Sequence, residues 1–263
     1  MTTALLEVRD LTKQFDGVRA VNGVSFDVRE DSVVGIIGPN GAGKTSLFNL
    51  LSGLLRADAG AVIFGGRNIT GLGPAKRCHV GIGRTFQVAR PFTNMSVLEN
   101  VMVPRLVKDR RVQSARQSAY ALLDELGIAH LGKKEPGSLT LAQLRRVEVA
   151  RALATEPKLL LLDEVLAGLN SREVEEALPF IHEVRDRGVT ILMIEHLVAA
   201  LMSVSEKVLV MDQGKRIAYG DPASVRSDPR VIEAYLGRED QQKADPEGTT
   251  SSNSLSGNGA SHA

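Results

Sequence analysis

Four apolar runs punctuate the chain: Val33-Val34-Gly35-Ile36-Ile37, Leu159 to Leu162, Val189 to Ile194 and Val208 to Met211. Each is far shorter than the roughly 20 residues a helix needs to cross a bilayer, and each reads as a buried strand. Before them, Leu5 to Val8, Val18 to Val21 and Val24 to Val28 alternate or are β-branched, which predicts short antiparallel strands. Ala61 to Phe64 is one arm of a hairpin turning at Gly65-Gly66, and Gln213-Gly214-Lys215 turns a last hairpin into Ile217-Ala218-Tyr219. From about Ser96 to Ala154 the period becomes helical. Ser96 stands three residues before Glu99, the spacing of a capping box, and Ser114 to Leu126 continues with helical spacing. A further helix is predicted from about Arg172 to Arg187. Strands alternating with helices imply a parallel sheet, and the helix-only stretch, about Pro91 to Ala150, reads as an inserted lobe.

Composition narrows the picture. The 263 residues are 43% hydrophobic, enough for one large core or a core plus a satellite lobe. Thirty-two basic and 31 acidic residues nearly cancel, so no long-range field favours nucleic acid or an anionic membrane. A single cysteine, Cys78, excludes an internal disulfide and a cysteine metal cluster; it reads as a packing residue. Met1 to Ala4 lacks a basic segment followed by an apolar run, so no secretory leader is expected. From about Glu239 onward Ser, Gly, Asn, Thr and charge predominate, and residues 239–263 are expected to be a disordered tail.

The strongest chemical signal is Gly38-Pro39-Asn40-Gly41-Ala42-Gly43-Lys44-Thr45, placed between a strand and a helix that runs from Thr45 and Ser46 into Leu51. Glycines let successive amides converge on one anion, and the helix start adds its dipole. In this phosphate-binding pattern Lys44 bridges the β- and γ-phosphates and the Thr45 hydroxyl holds Mg²⁺. The second signal is Leu159-Leu160-Leu161-Leu162-Asp163-Glu164, an apolar strand ending in two carboxylates. Asp163 suits the metal side and Glu164 suits polarising the attacking water. The third is the strand that stops at Glu195-His196, where a histidine can hydrogen-bond near the γ-phosphate.

The order of phosphate loop, Arg84-Thr85-Phe86-Gln87, helices, Leu139-Thr140-Leu141-Ala142-Gln143, Leu162-Asp163-Glu164, Ala167-Gly168-Leu169-Asn170 and His196 resembles the ABC-transporter ATPase family, over about Leu5 to Gly237. The resemblance implies an ATP site shared by two subunits, the signature segment of one (Thr140, Ala142, Gln143) capping the nucleotide on the other's loop. It also implies that Gln87 meets both the metal site and a transmembrane partner, and that Phe15 stacks on adenine. The signature departs from the family's usual Leu-Ser-Gly-Gly-Gln: Leu141 and Ala142 replace both glycines, which suits backbone approach only where φ is negative. Val165 stands where a proline commonly follows the glutamate, and Asn170 where many members carry aspartate. Within the family, Arg84 to Gln87, Ala167 to Asn170, Ile194 to His196 and Ala234-Tyr235-Leu236-Gly237 resemble the ATPases of branched-chain amino acid importers and their amide or urea relatives.

The expected fold is therefore α/β: a P-loop ATPase core with a mixed sheet, an N-terminal antiparallel β subdomain and an inserted α-helical subdomain, within one ATP-binding domain over residues 1–238. The cofactors implied are ATP and Mg²⁺. The partners implied are a second ATP-binding subunit, transmembrane permease subunits and a substrate-binding protein, with no nucleic acid, at the cytoplasmic face of the inner membrane. Two rival readings stand beside this one. One is a regulatory half of a heterodimer that binds ATP and hardly hydrolyses it, suggested by Leu141 and Ala142. The other is a soluble ABC ATPase of translation or DNA repair, which usually needs a second nucleotide domain, a long coiled coil or a basic face.

Overall fold

The computed structural model describes residues 4–86 and 91–234. The chain opens with two long antiparallel strands, β1 (Ala4–Phe15) and β2 (Val18–Arg29), where the sequence pattern predicts shorter pieces. The two segments Val18 to Val21 and Val24 to Val28 are one strand. Leu11 faces Val24 while Lys13 faces Val21, so Asn22-Gly23 is absorbed as a bulge rather than a turn. Next come β3 (Val33–Ile37), α1 (Lys44–Ser52), β4 (Ala59–Phe64), β5 (Arg67–Asn68), α2 (Pro74–Val80) and β6 (Ile82–Arg84). Gly65 and Gly66, both at positive φ, make the predicted β4–β5 turn. The helices α3 (Val97–Arg105), α4 (Val112–Glu125) and α5 (Leu141–Leu153) lead into β7 (Leu159–Asp163), α6 (Ser171–Asp186) and β8 (Thr190–Ile194). The last described elements are α7 (Val198–Val204), β9 (Lys207–Asp212), β10 (Lys215–Gly220) and α8 (Pro222–Arg226).

The strands form two sheets, an antiparallel one in the order β2-β1-β4-β5 and a mixed one in the order β10-β9-β3-β8-β7-β6. In the mixed sheet only β10 runs antiparallel. Its central strands are apolar without alternation because both faces are covered. Val33, Leu160, Leu162, Ile191, Met193, Val208 and Val210 face a core shared with α3 to α7. Val34, Ile36, Leu159, Leu161, Leu192, Ile194, Leu209 and Met211 face α1 and the antiparallel sheet. β3, β8 and β7 are successive parallel neighbours, so the chain segments leaving them emerge along one sheet edge, the place where open parallel sheets bind ligands.

One buried cation secures α1. The Arg77 guanidinium donates to the carbonyls of Leu50 and Leu51 at 2.6 and 2.7 Å, and to those of Ile69, Thr70 and Leu72 at 2.9–3.0 Å. It thereby satisfies carbonyls at the end of α1, where the helix dipole is negative. Burial lowers its pKa to about 10, which leaves it charged at neutral pH.

Candidate active site

The phosphate-binding pattern folds into a tight loop between β3 and α1. A Cβ on Gly38 would lie 2.1 Å from the Met211 carbonyl oxygen, and one on Gly43 (φ 96°) would lie 2.0 Å from that of Ala20. No side chain fits at either position, so the loop is pressed against the β9–β10 turn and β2. The amide of Ala42 donates to Pro39 O, and Gly214 N donates to Ala42 O, pinning the loop from both sides. α1 starts at Lys44 with no side-chain cap, so the first-turn amides, those of Thr45 and Ser46 among them, are available to an anion. Asn40, Gly41 and Thr45 are exposed while Lys44 is buried, its ammonium donating to Gly38 O at 2.6 Å and Pro39 O at 3.0 Å. Phe15, at the end of β1, is 41% exposed with Lys13 Nζ 5.4 Å from its ring centroid, a flat aromatic face at the surface.

β8 lies between β3 and β7, so the acids of β7 end a strand one place further from the loop than a direct neighbour, with His196 on the intervening strand's exit. Asp163 is buried and pairs with Arg84, Nη2 to Oδ2 at 2.8 Å. Burial pushes its carboxyl above the ordinary range, against the opposing pull of Arg84. Arg84 also donates to Asn49 Oδ1 at 2.7 Å and Ser52 Oγ at 2.9 Å, tying α1 to β6 and β7. Asp163 and Thr45 line one cavity of about 640 Å³. A hydroxyl and a carboxylate are hard oxygen donors of the kind Mg²⁺ takes, and this ion is usually completed by water and phosphate rather than a protein cage. Accordingly the described residues contain no cluster of three or more acids, histidines or cysteines that could hold a metal by itself.

Glu164 adopts φ 51°, a left-handed conformation that costs a non-glycine residue about 1–3 kcal/mol. Its amide donates to Ile194 O at 2.9 Å, and its Oε1 lies 2.7 Å from His196 Nε2. Against a carboxylate oxygen the ring nitrogen is the donor. The sequence-predicted carboxylate and histidine are thus brought into direct contact, with His196 half exposed and Glu164 mostly covered. Glu195, which sequence reasoning passed over, is buried beside them and accepts from Leu166 N at 2.9 Å. A strand running into a charged residue was the available signal, the same one that marked Asp163 and Glu164.

The signature segment starts α5. Thr140 Oγ1 accepts from Gln143 N, and Gln143 Oε1 accepts from Thr140 N, a complete capping box. Leu141 and Ala142 occupy the first helical turn, and neither is among the residues with positive φ. The alanine methyl therefore imposes no backbone strain at a position where the family usually carries glycine. Asn170 likewise caps α6 with Glu173. Gln87 lies outside the described residues, as do residues 235–263.

A loop built to receive a polyphosphate beside buried acids and a histidine defines a P-loop nucleotide hydrolase. A family model described as ABC transporter matches residues 21–167, and one described as branched-chain amino acid ATP-binding cassette transporter matches residues 215–241. The high-affinity branched-chain amino acid transport ATP-binding protein BraF of Pseudomonas aeruginosa is 39% identical over 90% of this chain and 99% of its own. LivG of Escherichia coli, described in the same words, is 37% identical over the same shares, and the probable LivG of Archaeoglobus fulgidus is 36% identical over 90% and 97%. Among solved structures, the ADP conformation of MJ1267, an ATP-binding cassette of an ABC transporter, superposes with a TM-score of 0.82 at 34% identity, covering 90% of this chain and all of that one. A nucleotide-free cassette from an ABC transporter gives 0.82 at 33% identity, over 89% and 99%. The chain belongs to the ABC transporter ATP-binding family and is an ATPase of the cassette type.

Proposed function

We propose that the chain energises a branched-chain amino acid importer, a reading supported by its likeness to the high-affinity branched-chain amino acid transport ATP-binding proteins BraF and LivG. Residues 1–238 act as one ATP-binding domain, with the helices between about residues 91 and 150 as its inserted lobe. Two such subunits enclose ATP, each offering its phosphate loop to one nucleotide and its α5 start, Thr140 to Gln143, to the other. Phe15 stacks on adenine, and the amides of Gly38 to Ser46 receive the phosphates. Lys44, on leaving the Gly38 and Pro39 carbonyls, neutralises the β- and γ-phosphates. Mg²⁺ bound through Thr45, Asp163 and Gln87 would neutralise phosphate charge. Glu164 accepts hydrogen bonding from the attacking water and orients it in line, while His196 holds the Glu164 carboxylate in place and, in the closed site, hydrogen-bonds near the γ-phosphate.

Partners follow the same reading. Described residues contain no helix long and apolar enough to cross a membrane, so separate permease subunits supply the path. They dock on the open cleft where Leu54, Phe86 and Pro104 lie and on the helix starting at Ser96, and Gln87, outside the described residues, joins that contact in this reading. A substrate-binding protein delivers cargo, and the chain works peripherally at the cytoplasmic face of the inner membrane.

The 2.7 Å contact between His196 and Glu164 at the sheet edge carries the catalytic assignment, because it gives the water-polarising group a fixed orientation. Of the rival readings, the poorly hydrolysing regulatory half loses its main support in the helical geometry of Leu141 and Ala142. Glu164→Gln is expected to bind ATP as the parent does, to accumulate as an ATP-bound dimer, and to lose about 10²-fold or more in kcat. Undiminished turnover would remove Glu164 from the role.

A further inference from the structure

We infer that Glu195 is a positioning residue for ATP hydrolysis: its buried carboxylate holds the backbone just past Glu164 and thereby fixes where the Glu164 side chain is presented. The inference rests on the reading of Glu164 as the group that orients water.

Three consecutive residues at the end of β8, Ile194 to His196, grip two that follow β7, Glu164 and Leu166. Ile194 O accepts from the Glu164 amide at 2.9 Å, Glu195 Oε1 accepts from the Leu166 amide at 2.9 Å, and His196 Nε2 meets the Glu164 carboxylate at 2.7 Å. Only the last contact involves a group aimed at the reaction. Glu195 is 2% exposed and points to protein, so a direct meeting with nucleotide is not its role. A carboxylate is costly to bury, and this one sits near two others.

The clamp matters because Glu164 is strained. A left-handed non-glycine residue persists only where its surroundings over-determine it. The Ile194 contact fixes the amide of Glu164, and the Leu166 contact fixes the chain two residues on. With Leu166 unclamped, Glu164 is free to relax to negative φ, which swings its carboxylate off His196. The same clamp sets the start of Ala167 to Asn170, the segment that delivers the cap of α6, and Gly168 lies close enough to α5 that a Cβ there would be 2.9 Å from Leu141 Cδ2.

The test is steady-state ATPase kinetics of the full chain carrying Glu195→Ala, Glu195→Asp or Glu195→Gln, with Glu164→Gln assayed alongside. Glutamine keeps an acceptor oxygen at the same reach, whereas aspartate keeps the charge and withdraws the oxygen by one methylene. Expected is a fall in kcat of about ten- to hundred-fold for Ala and Asp, since misplacement near 1 Å costs on the order of 10²-fold. The ATP KM stays within about twofold, and Gln stays within about threefold of the parent in kcat. Parental kcat for Asp, impairment of Gln equal to that of Asp, or a change confined to KM each overturns the inference. Should Ala fail to fold, the Asp and Gln pair decides. A Glu164→Gln variant that still turns over sinks the underlying reading, while an inactive one beside a fully active Glu195→Asp sinks this inference alone.

Discussion

Asp163, Glu164 and Glu195 crowd the ends of two adjacent strands, and each carboxyl is stabilised differently: by an arginine, a histidine and a backbone amide. The Glu195 carboxyl is pushed up to about 7, first by burial, with the negative neighbours Glu164 and Asp163 adding to the rise and Leu166 N and Arg145 opposing it. A carboxyl whose folded pKa exceeds its unfolded value costs nothing at pH below the unfolded pKa, near 4.5. Stability is then lost as pH rises toward 7, and the loss is complete above it, on the order of 3 kcal/mol. Glu195→Gln removes that dependence. Its melting temperature is expected to gain on the parent from pH 5 to pH 8; a gap that stays constant over that range would refute the account.

At the scale of elements, three helix starts are doubly fixed, whereas α1, α2, α4 and α7 begin with no side-chain cap. Ser96, Thr140 and Asn170 each make a full capping box, with Glu99, Gln143 and Glu173 as partners. Asn170→Ala is expected to destabilise the fold by about 1 kcal/mol in urea titration, and Asn170→Asp, which retains the cap, by much less. Such local devices are legible in sequence, as Ser96 with Glu99 was. So were the loop, the two acids and the strand order along the chain, because each depends on near neighbours. α2 went unread although Gly73, Pro74 and Gly81 punctuate it, since its seven residues give too few turns for a period. β6 is three residues with a glycine in the middle, and it becomes a strand only by pairing with β7. The Arg84–Asp163 pair spans 79 positions, and no local pattern announces such a contact. The place of β8 between β3 and β7 is likewise a property of the assembled sheet.

For the whole molecule, the two faces of the mixed sheet carry different duties. One covers α1 and the antiparallel sheet, and the other covers the helices that follow β6. The cleft beside β6 is open, with Leu54 and Phe86 about half exposed at its margin. Leu54→Glu places a charge where the permease is proposed to sit. The expected result is loss of co-purification with the membrane subunits at unchanged melting temperature, since the side chain is already in water; retained co-purification would move the docking surface elsewhere.

Arg77 has a consequence for how motion is distributed. With its Leu50 and Leu51 carbonyls tied through Arg77 to those of Ile69, Thr70 and Leu72 at one end, and Gly43 jammed against β2 at the other, α1 has little slack to slide or tilt. When a nucleotide arrives, the proposed phosphate cradle is expected to stay put, leaving the displacement to be borne by whatever reaches across to it from outside.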